Sequence, residues 1–536
     1  MMMAPPVSYG IFTRILKNEG HLVDIFDCTP YIGEGTSVDE SREFSIESKD
    51  ETEINVSFQS STTEEQMIDM MQSRPFSYED DLGIHSKTGL YDDFQSKVNE
   101  FNPDLMLFSI VEDTFHQALG LISLVENKNT QILCGGVFIT AAPELAMSYP
   151  QIKMIGIGEG EQIIIDVASR INKGLSCDNI PGVWVKKEDG SIVKNERGPL
   201  FDFTSIIPDY SLFDSNRFYR PMGGFVYKSL PIESYRGCPY TCAYCNSPMQ
   251  QTKAKDLGLG SFVRRNKDME NLRSYIVNII EQENPTYFMF VDDSFMARPT
   301  NELEEFCRMY DEFKIPFWFN TRPENVSVEK LQMLKAVNCN RIAYGVECGN
   351  EEFRRRVLLR KMTNKLLINK FKIITESGIA FSVNNIVGFP GETRELIFES
   401  IRLIKQISGY DSLSVTVFVP YNGTVLRDVC LREKLISPDL IIRDMLHTTL
   451  NMSQLSSHEI NALARTFPLY VHFDESEWDN IKKAEENSSE GVSIFNHYAD
   501  IYRRENFELN QDEKILKGPD FLVNKSIPIE YRIGQN

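Results

Sequence analysis

The sequence predicts an α/β chain: a doubly wound, Rossmann-like N-terminal domain, a partial (β/α)6 barrel after it, and a helical C-terminal tail. Three observations predict it. Between about residues 226 and 430, apolar strand patterns alternate with amphipathic helix patterns roughly every thirty residues, which is how successive βα units build a parallel sheet. Residues 1–170 hold a second set of strand patterns, several running into glycine. Beyond 431 only helix patterns remain. At 536 residues the chain is too long for one core.

In the N-terminal part, Ile11–Asn18 reads as a helix, His21–Phe26 as a strand ending at Asp27, and Tyr91–Glu100 as a helix. Asp104–Ile110 is a strand, Gln131–Cys134 is another that runs into Gly135-Gly136, and Lys153–Ile157 leads through Gly158-Glu159-Gly160-Glu161 into a helix. Such a layout binds its ligand at the carboxyl ends of the strands. Paired glycines there let the backbone approach a ligand, although most such pairs are ordinary turns. Residues 34–86 form an acidic, Ser/Thr-rich insert with the composition of a solvated loop. Residues 171–225 are read as a connecting segment.

The barrel strands are expected near Pro231–Tyr235, Tyr287–Val291, Pro316–Asn320, Arg341–Val346, Phe381–Val387 and Leu413–Val419, with helices between them. The loops after these strands carry Asp292-Asp293, Arg322, Gly345–Gly349, Gly388–Thr393 and Pro420–Thr424. These mark the ligand-binding end of an open parallel barrel. The run from Arg354 to Lys361 reads as a solvated helix face, with a phosphate-bearing substrate as the alternative. Tail helices are expected near Ser457–Phe473, Glu475–Glu486 and Val492–Arg504, lying over the barrel opening.

Between the first strand and first helix of the barrel lies Cys238-Pro-Tyr-Thr-Cys242-Ala-Tyr-Cys245. Iron-sulfur clusters normally take four thiolates, so three close cysteines suggest a cluster with one iron open to an outside ligand. A zinc knuckle would need a second half-site. None is present: Cys177 and Cys307 are each over sixty residues away, and no histidine lies between positions 117 and 446. No cysteine follows Cys430, which leaves no auxiliary cluster in the tail.

A composition of 42% hydrophobic and 25% charged residues is that of a globular protein. The net charge of −21 opposes a nucleic-acid partner, which needs a basic footprint. No apolar run approaches transmembrane length. Ten scattered cysteines do not form a disulfide framework, so a reducing cytoplasm is expected.

The cysteine motif and the strand-end loops together resemble the radical S-adenosylmethionine (SAM) superfamily. The resemblance implies that Cys238, Cys242 and Cys245 hold a [4Fe-4S] cluster whose open iron binds SAM, and that one electron releases a 5'-deoxyadenosyl radical. It sets Tyr244 beside the adenine, Asp292 and Asp293 at the SAM amino group, Arg322 at its carboxylate and Glu347 near its methionine or ribose part. Gly388 falls in the strand-five motif, which departs from the family pattern with Asn384 at its first glycine and Glu392 one place late. The structural alternatives are a helix cap or polar barrel mouth for the two aspartates and an ion pair for Arg322 and Glu347.

Pro5-Pro6 with Gly10, Ser109, Gly135-Gly136 and Gly158–Glu161, followed by Ile180–Trp184, Asp189-Gly190 and Ile207–Tyr210, resemble the cobalamin-binding domain of B12-dependent radical SAM enzymes. That places Ser109, Gly135, Gly136, Glu159 and Gly160 beside cobalamin. No D-x-H-x-x-G occurs, so no histidine is offered to cobalt. The family has a strand just before the Pro-Pro loop that is not seen here, so either the start lies upstream or the domain is altered; without it two neighbours lack a partner.

The implied function is a cobalamin-dependent methyltransferase acting on an unactivated carbon of a small molecule, with an external one-electron reductant of flavodoxin or ferredoxin type. A non-methylating cyclase or rearrangement enzyme is the rival within the family. A cobalamin-binding sensor with a vestigial barrel is the rival outside enzymes. A tRNA methylthiotransferase is disfavoured by charge and by the lack of a second three-cysteine set.

Overall fold

The computed structural model describes residues 4–31, 44–47, 53–56, 71, 83–223 and 225–508. Most of the acidic insert therefore lies outside the described residues. Within it β1 (Phe44–Glu47) and β2 (Glu53–Val56) pair antiparallel.

The N-terminal sheet runs β3 (Leu105–Ser109), β4 (Gln131–Gly135), β5 (Met154–Gly156), β6 (Val183–Lys186), β7 (Ile192–Lys194). The first three are parallel and the last two add antiparallel. β6 and β7 come from the segment read as a connector, turned at Asp189-Gly190 with Gly190 at φ +82°. The helices Val7–Asn18 and Glu161–Asn172 cover one face through Ile11, Ile15, Ile164 and Val167. Phe115–Ser123 packs into the other with Phe138, Ile139 and Ile155.

The strand expected at His21–Phe26 does not form, since residues 21–28 carry no strand pairing. Val23 packs with Leu105 and Leu107, while Phe26 packs with Met106 and Phe108. The segment thus shares two apolar clusters with β3 without pairing to it, and a strand cannot register without a hydrogen-bonding neighbour. β3 is left at the sheet edge and half-buried along its length. The Tyr9 hydroxyl accepts the Ser109 N–H there at 3.3 Å.

The second sheet has seven strands in the order β16-β15-β14-β13-β12-β9-β8. Six are parallel: β9 (Phe225–Ile232), β12 (Tyr287–Phe290), β13 (Phe317–Thr321), β14 (Cys339–Glu347), β15 (Ala380–Val387) and β16 (Ser412–Val417). The short β8 (Tyr219–Met222), not anticipated from sequence, joins β9 antiparallel. Alternate side chains such as Phe317, Phe319, Ile342, Tyr344, Val383 and Val415 are buried against the helices. The opposite face carries Trp318, Asn320, Ser382, Asn384, Ser414 and Thr416, none fully buried. Side-chain oxygens of Asp268, Ser327, Asn350, Thr363, Thr393 and Thr424 each accept an N–H at the start of a barrel helix, which fixes where these helices begin.

Among the described residues the tail helices pack on the outside of the sheet, while Leu450, ahead of them, joins the buried cluster of Ala243, Phe389 and Phe418 beside the cysteine loop. The helix Ser457–His472 starts in a Ser456/Glu459 capping box and buries Leu463, Phe467 and Tyr470 in the same outer core as Val415 and Val417. Before it, Ile441 inserts into the core of the N-terminal domain. Among the described residues no helix is long and apolar enough to cross a membrane.

Candidate functional site

β9 ends just before a two-residue strand, β10 (Tyr235–Arg236), which pairs with β11 (Arg265–Asn266) and launches the cysteine loop. At its entry Gly237 has φ +87°, and a Cβ there would fall 1.7 Å from the Phe262 carbonyl oxygen. Only glycine allows this turn. Cys242 is 8% exposed, and Cys238 and Cys245 are half-buried. Burial pushes the Cys238 thiol up to about 12 and Cys245 to about 11. Thiols so placed hold their protons until a metal displaces them.

Two guanidiniums face the loop. Arg322 Nη1 lies 3.4 Å and Arg360 Nη1 3.7 Å from Cys242 Sγ, and the Ser247 N–H donates to Cys245 Sγ at 3.5 Å. The Nε donors of both arginines are buried without a partner. Among the described residues no three His, Cys, Asp or Glu side chains converge as they would on a single ion. A cubane takes one thiolate at each iron and does not ask the sulfurs to converge. Three soft donors flanked by cations and sulfur-directed N–H groups fit a reduced cluster with an anionic ligand beside it.

The two aspartates after β12 separate in role. Asp292 is buried and saturated: it accepts from the N–H groups of Ser234 (2.8 Å) and Tyr235 (3.1 Å), from the Ser234 hydroxyl, and from Arg298 Nη2 at 2.9 Å. It ties β12 to the strand end before the cysteines and has no lone pair left for a SAM amino group. Asp293 is exposed and lies close enough to the cysteine loop for its charge to act on Cys238 and Cys245. Its surroundings raise its pKa, with Glu233 adding to burial and the Gly237 N–H opposing both.

Glu347 closes β14 at φ +71°. It is 3.7 Å from Arg360 Nη1 and bonded to Tyr244; burial raises its pKa while Arg360 lowers it. The Tyr244 hydroxyl accepts from Arg360 Nη1 at 3.0 Å, and its ring packs 5.9 Å from that of Phe389. Arg322 lies 3.9 Å over the Tyr240 ring and pairs with Glu324. Gly388 serves its loop: at φ +85° it donates its N–H to Glu392 Oε2 at 2.6 Å.

Arg360 was not singled out in the sequence. It was counted with a basic run, yet it is 2% exposed, and Arg354 in the same run is fully buried on the carbonyls of Cys348 and Met362. Arg355 and Arg356 both pair with Glu352. The run is therefore split: Arg355, Arg356 and Lys361 are exposed, as a solvated face would be, while Arg354 and Arg360 turn inward. Nothing in the sequence separates Arg360 from its basic neighbours; in the structure it follows Leu359, a non-glycine at φ +58°.

At the carboxyl ends of β3, β4 and β5 lies a cavity of about 290 Å3 lined by Tyr9, Phe12, Ser109, Gly135, Gly136, Gly158, Glu159, Gly160 and Arg236, among others. All five expected cobalamin contacts border it. No histidine lines it. Val111 and Val137, just past β3 and β4, remain 45% and 37% exposed. A cavity at the low end of the small-molecule range beside exposed apolar residues fits the tail of a large cofactor whose body lies on the strand ends.

Two details change. Gly136, at φ +105°, is demanded by Ile110, whose carbonyl oxygen a Cβ would meet at 2.4 Å. The Glu159 side chain turns to the barrel, pairing with Arg236 (3.0 Å) and Arg265 and accepting the Phe201 N–H at 2.9 Å. Burial alone would raise its pKa, but Arg265 and Arg236 hold it below the usual value. The backbone of that loop is what remains for a ligand.

The family model of the Radical SAM superfamily matches residues 232–404, and that of the B12 binding domain matches 64–168. An uncharacterized methyltransferase of Pyrococcus horikoshii is 24% identical over 72% of this chain and 81% of its own length. An anaerobic magnesium-protoporphyrin IX monomethyl ester cyclase of Rubrivivax gelatinosus is 21% identical over 59% of this chain and 56% of its own. The structure of TsrM, a radical SAM methyltransferase from Kitasatospora setae, aligns with TM-score 0.53 at 15% identity, covering 81% of this chain and 74% of that one. The cobalamin-dependent radical enzyme OxsB aligns with TM-score 0.56 at 16% identity, covering 78% and 65%.

Proposed function

Given that this chain joins a B12 binding domain to a radical SAM domain, and so works with a [4Fe-4S] cluster, SAM and cobalamin, we propose that it methylates an unactivated carbon of a small molecule or metabolite. The observation that carries this reading is the joining of the two ligand faces: Glu159, on the cavity of the N-terminal domain, is paired with Arg236, two residues before Cys238. When bound, the cluster and SAM supply hydrogen abstraction and cobalamin supplies the methyl group.

The residues of the chain bind, orient and shield. Cys238, Cys242 and Cys245 hold the cluster. Asp293 receives the SAM ammonium, a charge-assisted bond its exposed position leaves open. Arg322 and Arg360 hold negative charge beside Cys242, and Glu347 with Tyr244 fixes Arg360. Trp318, Asn320, Asn384, Ser414 and Thr416 offer the substrate a flat apolar ring with amide and hydroxyl partners, while the charges of Arg341 and Glu347 on the same face are engaged by Asp411 and Arg360. An external one-electron donor of flavodoxin or ferredoxin type reduces the cluster, in the reducing cytoplasm.

The test is anaerobic reconstitution with SAM carrying a deuterated methyl group, followed by mass analysis of candidate small molecules and of 5'-deoxyadenosine. Label appearing in a product with 5'-deoxyadenosine is expected. 5'-Deoxyadenosine with an unlabelled, mass-neutral product would support radical cyclisation or rearrangement, the kind of activity in the name of the Rubrivivax relative. No SAM cleavage by a fully loaded cluster would leave a cobalamin-binding sensor.

A further inference from the structure

The cysteine loop is tied to the N-terminal domain at both its ends, directly at the entry and through Asn422 of the barrel at the exit. On the entry side, Arg236 stacks over Phe203 at 4.4 Å and reaches Glu159 Oε1 (3.0 Å) and Glu161 Oε1 (2.7 Å), both in the turn after β5. On the exit side, Asn246, next to Cys245, donates through Nδ2 to the Asn422 carbonyl at 2.5 Å. Asn422, in the loop after β16, donates its backbone N–H to Glu112 Oε2 at 2.8 Å and its Nδ2 to Glu112 Oε1 at 2.9 Å. Glu112 lies in the turn after β3 and is 3% exposed. Its Oε1 also accepts the Ile442 N–H at 3.2 Å and lies 3.6 Å from Arg427 Nη1.

Glu112 touches neither cavity nor cysteines, and a buried carboxylate is costly unless fully bonded. Here it is bonded only to the barrel and tail, so it serves the joint between domains. We propose that Glu112 is a positioning residue, one point of a two-point clamp with Arg236 that fixes the distance between the cobalamin face and the iron-sulfur cluster. β3 and β5 flank β4. The clamp therefore grips the cobalamin face on both sides of Gly135-Gly136, and each grip ends within two residues of a cluster cysteine. A single link would hold separation but permit tilt; two links on opposite sides remove the tilt. Group transfer is sensitive to ångström-scale misplacement, which gives such a clamp its value.

The inference rests on the cofactors assigned above, and the experiment separates the two. The full chain is loaded with cobalamin, its cluster is reconstituted, both are brought to paramagnetic states, and pulsed EPR reads the cobalt-to-cluster distance. The wild type is expected to give one narrow distance. Glu112→Gln, which sets an NH2 against buried donors, is expected to keep wild-type cobalt and iron contents while at least doubling the width of that distribution. If Glu112→Gln does not accumulate as folded protein, Asn422→Ala cuts the same link from the barrel side and carries the same expectation. An unchanged narrow distance in the folded variant overturns the clamp. A wild type that takes up no cobalamin overturns the cofactor assignment and the clamp with it.

Discussion

Glu392→Gln should flatten the fall in stability of the barrel between pH 6 and pH 8. Glu392 is fully buried; its Oε2 accepts the N–H groups of Gly388 (2.6 Å) and Phe389 (3.1 Å), and its Oε1 has no partner. Burial pushes its pKa up to about 8, the two backbone donors opposing it. An unfolded glutamate titrates near its ordinary value of about 4.3. Between those values the folded state holds the proton and the unfolded state does not, so stability falls as pH rises through this window. At about 1.4 kcal/mol per pH unit, tapering near the folded pKa, the loss between pH 6 and pH 8 is about 2 kcal/mol. Glutamine copies the protonated form, keeping an acceptor for both N–H groups and carrying no charge. In melting curves of the apo-protein, the advantage of the variant over wild type should grow by about 4–8 °C across that range. Parallel curves would refute the reasoning, since the proton would then not be taken up on folding.

The two aspartates after β12 should respond oppositely. Asp292→Asn breaks a buried pair with Arg298 and should cost about 3–5 kcal/mol, read as a fall in melting temperature. Asp293→Asn should leave the melting temperature in place and weaken SAM binding roughly tenfold, read by equilibrium binding to the reconstituted protein. Gly237→Ala drives a methyl group into the Phe262 carbonyl, so iron and sulfide per chain should drop well below wild type. Full cluster content in that variant would show that the loop entry relaxes freely.

Much of the fold was legible because its elements are locally encoded. The period-2 apolar runs and the Asp, Ser, Asn and Thr caps place five of the six parallel strands within a residue or two of their expected positions, and β9 begins and ends earlier. The failures come from contacts distant in sequence. His21–Phe26 has strand composition, but strand formation needs a neighbour that its pattern cannot reveal. Ile441 looks like an ordinary apolar tail residue, yet its burial is decided by a domain some three hundred residues earlier. The site divides in the same way. The spacing of the cysteines carries its own meaning, whereas the saturation of Asp292, the outward turn of Glu159 and the inward turn of Arg360 depend on which partners reach them first.

The contact between Glu112 and the Ile442 N–H spans 330 residues of chain. The last strand of the N-terminal sheet ends at Lys194, so at synthesis rates of about 5–20 residues per second an interval on the order of 12–50 s separates the finished sheet from the arrival of Ile442. Arg236 emerges early in that interval and the groups that bond Glu112 emerge late in it. Synthesis thus delivers the two grips of the clamp in order, the Arg236 side first and the Glu112 side last.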